Sequence, residues 1–119
     1  MRSPIGPPTS IVWTVDRWAP GIYRAIWEAL VGGLQGVPVS VTSYWRDPTV
    51  NAAVGGLADS QHLIGLGIDI APEAGRMGEA ASILQARGLT VVSYPSHLHV
   101  QAWPAGVARR AGLLDALGL

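Results

Sequence analysis

The chain contains no cysteine in its 119 residues, and this absence limits both its fold and its chemistry. Disulfides cannot staple the structure, so the fold must rest on an apolar core. Hydrophobic residues make up 49% of the sequence and charged residues 13%, a balance typical of one globular domain. Thiolate zinc sites and cysteine nucleophiles are excluded as well, so any bound metal must use nitrogen and oxygen ligands.

The charges and the apolar runs exclude several kinds of partner. Eight basic and eight acidic residues cancel, so we expect neither nucleic acid nor an anionic membrane as a partner. No segment reaches the roughly 18 apolar residues of a membrane span, and the proline-rich start does not resemble a secretory signal. We therefore expect a protein that stays in the cytoplasm of the producing cell unless another system releases it, and we favour a monomer.

Hydrophobic periodicity and turn residues predict a small α+β domain over residues 1–119, with a central, mostly antiparallel sheet flanked by helices. An irregular arm is expected at residues 1–10, and a loop at residues 57–66. The predicted helices are 20–34, 48–54, 72–88 and 104–117, and the predicted strands are 39–45, 67–71, 89–94 (apparently buried) and 97–103.

Three histidines and one aspartate form a candidate metal site at the sheet face. His62 precedes Asp69 by seven residues with two glycines between them, so a loop imidazole and a strand carboxylate can face one point. His97 and His99 are separated by one residue and project from the same face of a strand. Two imidazoles and one carboxylate leave a fourth tetrahedral position for water, as in a catalytic zinc site.

These residues also have ordinary structural explanations. A lone histidine is more often a core or surface residue than a ligand. Asp69 is harder to explain, because a carboxylate between Ile68 and Ile70 is costly to bury unless it is paired. Either an arginine or a metal ion would supply that pairing, and the spacing alone leaves both open.

Three segments carry a resemblance to a known superfamily. Residues 60–69 contain Ser-x-His-x-x-Gly-x-Gly-x-Asp, residues 42–56 contain TSYWRDPTVNAAVGG, and residues 97–100 contain HLHV. In this order they resemble motifs of the zinc D-Ala-D-Ala carboxypeptidases, a superfamily (LAS) that includes phage L-alanyl-D-glutamate endopeptidases and the hedgehog signalling domain. Gly67 stands where that superfamily usually has alanine.

The resemblance implies a metal site and its neighbours. His62, Asp69 and His99 would bind one zinc ion, and His97 would stabilise charge or move protons beside it.

The resemblance also implies residues that contact substrate. Arg46 would contact the substrate carbonyl or carboxylate, although a surface arginine could instead pair with Asp47 or Asp59. The other expected substrate contacts are Ser60, Trp45 and Tyr94.

One part of the superfamily pattern is missing. Relatives carry an acidic residue near the last zinc ligand that accepts a proton from water. The corresponding positions here hold Ser93, Tyr94, Ser96 and Gln101, and no acidic residue occurs between Glu79 and Asp115. Either His97 serves as the base, or the domain has lost hydrolysis and kept binding.

The implied function is zinc-dependent hydrolysis of an amide bond in the stem peptide of peptidoglycan, by a carboxypeptidase or an endopeptidase. The expected absence of a secretory signal favours a bacteriophage product in cell wall degradation, either an endolysin released at lysis or a protein carried in the virion. The first alternative is a zinc module without turnover that binds peptide or assembles into a phage particle. The second alternative is a metal-free structural domain.

Overall fold

A four-stranded antiparallel sheet is the centre of the computed structural model, which describes residues 6–119. The strands are β1 (Val39–Ser43), β2 (Gly67–Pro72), β3 (Thr90–Ser93) and β4 (Leu98–Gln101), in the order β1-β2-β4-β3. The α-helices are α1 (Thr9–Trp18), α2 (Ile22–Gly33), α3 (Pro48–Ala53), α4 (Met77–Ala86), α5 (Val107–Arg110) and α6 (Leu113–Ala116). A 3-10 turn, Gln61–Ile64, precedes β2.

The two faces of the sheet differ because side chains alternate along each strand. Ile68 pairs with Val100 and Ile70 with Leu98 across β2 and β4, and all four are fully buried in the core together with α4 residues such as Leu84. The residues between them, Asp69 and His99, are also direct cross-strand partners and therefore lie on the other face. The sheet thus has an apolar face under α4 and a face that carries ionisable side chains.

The expected α+β class and antiparallel sheet are confirmed. Helix α2 begins two residues after the predicted start at residue 20 and ends at Gly33, one residue before the predicted end. Asp47 caps α3, which begins at the predicted residue: its carboxylate accepts from the Val50 N–H at 2.7 Å, and Pro48 occupies the first helical position. Among residues 6–119, no helix has the length and apolar character required to cross a bilayer.

The N-terminal prediction was wrong in part. Residues 9 and 10 begin α1 rather than ending an irregular arm, while residues 1–5 lie outside the described part of the chain. Helix α1 buries Ile11 and Val15, and its last residue, Trp18, makes an edge contact with Trp103 at 4.8 Å between ring centres. Tertiary contacts thus fix this short helix, which has no side-chain cap.

Three other elements also differ from the prediction. The helix predicted from residue 72 begins at Met77, because Pro72 still pairs with Val39 in the sheet. The C-terminal helix is broken in two at Gly112, whose φ of 79° is left-handed. Strand β3 is an edge strand rather than a buried one, and Val92 is 42% exposed.

Candidate metal centre

Three side chains from three elements meet on the polar face of the sheet. His62 comes from the 3-10 turn, Asp69 from β2 and His99 from β4. The Asp69 Oδ1 atom lies 3.2 Å from His62 Nε2 and 2.9 Å from His99 Nδ1, and the three atoms all lie within 4.8 Å of one another. The two imidazole rings are 5.0 Å apart and tilted. One ion could therefore contact all three atoms after small side-chain movements.

The turn that carries His62 is held by capping and by the core. Ser60 Oγ accepts the His62 backbone N–H at 3.2 Å, which caps the turn, and Tyr23 donates to the Ile64 carbonyl. The His62 side chain is almost completely buried. Its Nδ1 contacts the Tyr44 carbonyl, which can only accept a hydrogen bond, so the ring proton is on Nδ1. In the neutral ring the lone pair of Nε2 consequently faces Asp69, whereas in the charged ring Nε2 donates a hydrogen bond to it.

Gly67, the departure from the superfamily pattern, is explained by this turn. A Cβ at position 67 would lie 2.9 Å from the His62 nitrogen and 3.1 Å from the Gln61 carbonyl carbon. Both are backbone atoms, so alanine would push the turn away from the sheet. Glycine at this position allows the turn to bring His62 directly over β2.

His99 presents its other ring nitrogen. Its Nε2 lies 2.7 Å from Gln101 Oε1, and its Nδ1 faces Asp69. Burial lowers the pKa of the His99 imidazole, but the hydrogen bonds to Asp69 and Gln101 outweigh burial and raise it above the ordinary value. Burial raises the pKa of the Asp69 carboxyl, but its hydrogen bonds with His62 and His99 hold that pKa well below the usual range. The site therefore keeps an ionised carboxylate between two imidazoles.

The chemistry of these donors fits a divalent cation. A neutral His62 and a neutral His99, each protonated on its outer nitrogen, direct two lone pairs and one carboxylate oxygen to the same region. Three electron-rich atoms at such short range are stable only with a positive charge between them, either a proton or a metal ion. Two imidazoles and a carboxylate are typical zinc ligands, and three protein ligands leave a position for water or substrate.

Arg46 contacts the metal-site carboxylate rather than Asp47 or Asp59. Its Nη2 donates to Asp69 Oδ2 at 3.0 Å, and its Nε donates to Ser43 Oγ at 3.1 Å. Asp69 therefore uses one oxygen for the arginine and the other for the imidazoles. The sequence left open whether Asp69 pairs with an arginine or binds a metal ion. Because its two oxygens face different partners, Asp69 can do both. Arg46 also lines the cleft beside the site.

The segment after Arg46 shapes one wall of that cleft. Asn51, which is 3% exposed, donates from its side-chain amide to the Leu57 carbonyl at 2.8 Å. A side chain at Gly56 would overlap the Asn51 amide, which explains a glycine there. The asparagine and glycine of this motif thus hold a loop whose exposed residues Val54 and Leu57 line the cleft.

The cleft has a volume of about 300 Å³ and is lined by Arg46, the three candidate ligands and residues of both walls. His97 and Tyr94 form part of the opposite wall and stack at 4.9 Å with 13° between their ring planes. Ser96 Oγ lies 2.8 Å from His97 Nδ1. His97 precedes β4 instead of lying within it as expected, and it is outside the group of three potential ligands.

The other expected substrate contacts divide into two kinds. Ser60 and Tyr94 line the cleft, and Tyr94 is 47% exposed. Trp45 is outside the cleft lining, and its Nε1 donates to the Leu63 carbonyl at 3.0 Å. Its position indicates support of the 3-10 turn rather than contact with substrate.

The cleft also contains residues that sequence reasoning missed. Asp59 lines it and supplies a carboxylate from the wall opposite β4, one residue before the histidine motif. Val92 and Gln101 line it from the sheet. The position of Asp59 beside Ser60 was the only available sequence signal, because the acidic base was expected near the last ligand.

Comparison with known proteins gives one match. The sequence matches the family described as Peptidase M15 over residues 15–101, which is most of the chain. This range contains the three candidate ligands, Arg46 and His97. No curated protein matches the sequence significantly.

Proposed function

Because the chain belongs to the peptidase M15 family of zinc peptidases that act on peptidoglycan, we propose that it hydrolyses an amide bond in the peptidoglycan stem peptide. The observation that carries the proposal is the convergence of His62 Nε2, Asp69 Oδ1 and His99 Nδ1 at one end of an open cleft. Each ligand comes from a different element, so the folded domain builds the site. Zinc is the proposed cofactor, with one ion per chain.

The cleft residues have separate roles in the proposed amide hydrolysis. Bound zinc would supply a Lewis acid that polarises a carbonyl and lowers the pKa of water. With its Nδ1–H donating to Ser96 Oγ, a neutral His97 has its lone pair on Nε2, where it is placed to accept and return a proton. Tyr94 stacks on the His97 ring and fixes its plane.

Arg46 has two tasks in the proposed reaction. Its bond to Asp69 Oδ2 occupies that oxygen, so Oδ1 is the Asp69 atom that would hold a metal ion. A guanidinium has five N–H groups, and those not used for Asp69, Ser43 and Asn51 are available to charge that develops on the substrate carbonyl.

The charge distribution supports an endopeptidase over a carboxypeptidase. A carboxypeptidase must hold the free carboxylate of its substrate, which requires an uncommitted cation beside the metal. Arg46 is the only arginine that lines the cleft in the described part of the chain, and Asp69 already balances its charge, so its remaining N–H groups suit a carbonyl better than a free carboxylate. The apolar residues Val54, Leu57 and Val92 on the two walls suit a peptide that continues past the cleaved bond.

The alternative function is a zinc module that binds peptide without cleaving it. The absence of an acidic residue between Glu79 and Asp115 favours this alternative, since relatives use one as a base. A phage origin, whether endolysin or virion protein, stays a prediction that the genes surrounding this one would test.

Digestion of purified peptidoglycan tests the proposal. We expect the zinc-loaded protein to release cleaved stem peptides, identified by mass spectrometry, and the chelated protein to release none. Asp115→Asn, a change at an exposed carboxylate, serves as the control. Cleavage between internal residues supports an endopeptidase, and release of a single terminal amino acid a carboxypeptidase. Bound zinc without any product would select the binding module instead.

A further inference from the structure

Gln101 lies two residues after His99 on β4, and therefore on the same face of the sheet. It is 9% exposed and lines the cleft. Its Oε1 lies 2.7 Å from His99 Nε2, and its Nε2 lies 2.8 Å from the Trp103 carbonyl oxygen. The amide thus bridges a metal-site imidazole and a backbone carbonyl.

The Trp103 carbonyl determines which groups donate and which accept in the hydrogen bonds of Gln101 and His99. The Trp103 oxygen can only accept, so the NH2 group of Gln101 must face it. The Gln101 oxygen then faces His99 and can only accept, so the proton of a neutral His99 is on Nε2. The lone pair of His99 is consequently on Nδ1, directed at Asp69.

A second glutamine fixes the carbonyl itself. Gln61, 3% exposed, donates to the Trp103 oxygen at 2.6 Å and accepts the Trp103 N–H at 3.1 Å. Gln61 is the neighbour of His62 in the 3-10 turn. The two glutamines therefore join the element that carries His62 to the strand that carries His99, through one backbone unit.

We propose that Gln101 is a positioning residue that fixes the tautomer of His99, so that Nδ1 rather than Nε2 binds the metal. The inference rests on the proposed function only in that the site binds zinc. His62 is fixed in the opposite sense, with its proton on Nδ1, so the two histidines bind through different nitrogens. A hydrogen bond of this kind orients the ligand ring and raises its basicity.

Two substitutions separate the acceptor role of Gln101 from its volume. Gln101→Leu removes the acceptor and keeps the size, and we expect zinc affinity to fall by about 10- to 100-fold. Gln101→Glu keeps an acceptor for His99 Nε2, and we expect its zinc affinity to stay nearer that of the original protein. Gln85, exposed on α4, provides matched controls: Gln85→Leu and Gln85→Glu should leave zinc affinity unchanged.

The experiment combines chelator competition with long-range ¹H–¹⁵N spectra of the histidines. In the unsubstituted zinc-loaded protein we expect zinc on Nδ1 of His99 and on Nε2 of His62. Gln101→Leu should weaken zinc and broaden or shift the His99 signals, while those of His62 change little.

The outcomes separate this inference from the proposed function. Zinc on Nε2 of His99 in the unsubstituted protein would overturn the positioning role and leave the peptidase proposal intact. Equal zinc affinity in Gln101→Leu and the unsubstituted protein would also overturn it. Failure of the unsubstituted protein to bind zinc would instead defeat the proposed function.

Discussion

The buried ligand cluster and the exposed cleft walls are built in opposite ways. In the cluster, His62, Asp69 and His99 are at most slightly exposed, and every ring nitrogen and carboxylate oxygen has a partner. On the walls, Tyr94, Leu57 and Val92 are between 42% and 69% exposed. The wall residue His97 has Ser96 as its hydrogen-bond partner and Tyr94 as its stacking partner.

This difference indicates that the fold determines the positions of the candidate metal ligands more strictly than those of the wall side chains. Cross-strand register and three backbone carbonyl or amide contacts place the three candidate ligands, so the candidate metal site is part of the domain core. The proposed proton transfer and peptide recognition would depend on wall side chains that the core does not hold. Substitutions in the cluster should therefore remove zinc, whereas substitutions on the walls should change turnover and leave zinc in place.

The largest expected effect is at the centre of the cluster. Asp69→Asn keeps the shape but removes the charge that faces both imidazoles and Arg46. We expect zinc affinity to fall by more than about 100-fold, beyond the effect of losing a residue that only supports a ligand. Isothermal titration measures this, and activity should fall to background. Normal cleavage of stem peptide by this variant would refute the site assignment.

The wall residues should behave differently from the cluster. His97→Ala should keep one zinc ion per chain and lower kcat by about 100-fold or more, as expected for a general base. Asp59→Asn, a change at the carboxylate that lines the cleft outside the ligand cluster, should have a smaller effect. If Asp59→Asn instead abolished turnover while His97→Ala did not, the base would be the carboxylate, and the division of roles would need revision.

The pH dependence should have opposite signs with and without zinc. Because the pKa of His99 is raised in the metal-free protein, its charged form stabilises that protein at low pH, and this contribution is lost as pH rises through the raised pKa. Zinc competes with the same proton, so zinc affinity should rise with pH by about tenfold per unit per displaced proton. Thermal unfolding across pH with zinc or chelator measures both trends, and parallel trends would contradict the competition.

The smallest expected effect is on stability, and it tests how closely the turn that carries His62 packs on β2. Gly67→Ala should lower the free energy of unfolding by about 1–3 kcal/mol, because a Cβ there meets the backbone of the His62 turn. Gly78→Ala is the matched control: its Cβ meets nothing within 4 Å and it lies in α4, so about 0.5–1 kcal/mol of stabilisation is expected. Denaturant unfolding distinguishes the two, and a stabilising Gly67→Ala would contradict the close packing of the turn.

Strand alternation made the ligand face predictable from sequence. Asp69 lies between Ile68 and Ile70, and His99 lies between Leu98 and Val100, so alternation places both on the face opposite these apolar neighbours. The superfamily motifs then identified His62 and Arg46. The same reasoning located β1, β2, β4 and the capped start of α3, because their patterns are local.

The parts that sequence could not give depend on contacts between distant residues. Helix α1 has no cap and is held by the core and by Trp103, far along the chain. Gly112 breaks the C-terminal helix through a left-handed backbone that periodicity does not reveal. The Gln101 bridge depends on the direction of an amide, and Asp59 reaches the cleft from a loop.

Anomalous diffraction from crystals of the zinc-loaded protein tests the central claim most directly. The account predicts one zinc peak at about 2.0–2.2 Å from His62 Nε2, Asp69 Oδ1 and His99 Nδ1. A zinc peak at His97, or no peak beside Asp69 under saturating zinc, would contradict it.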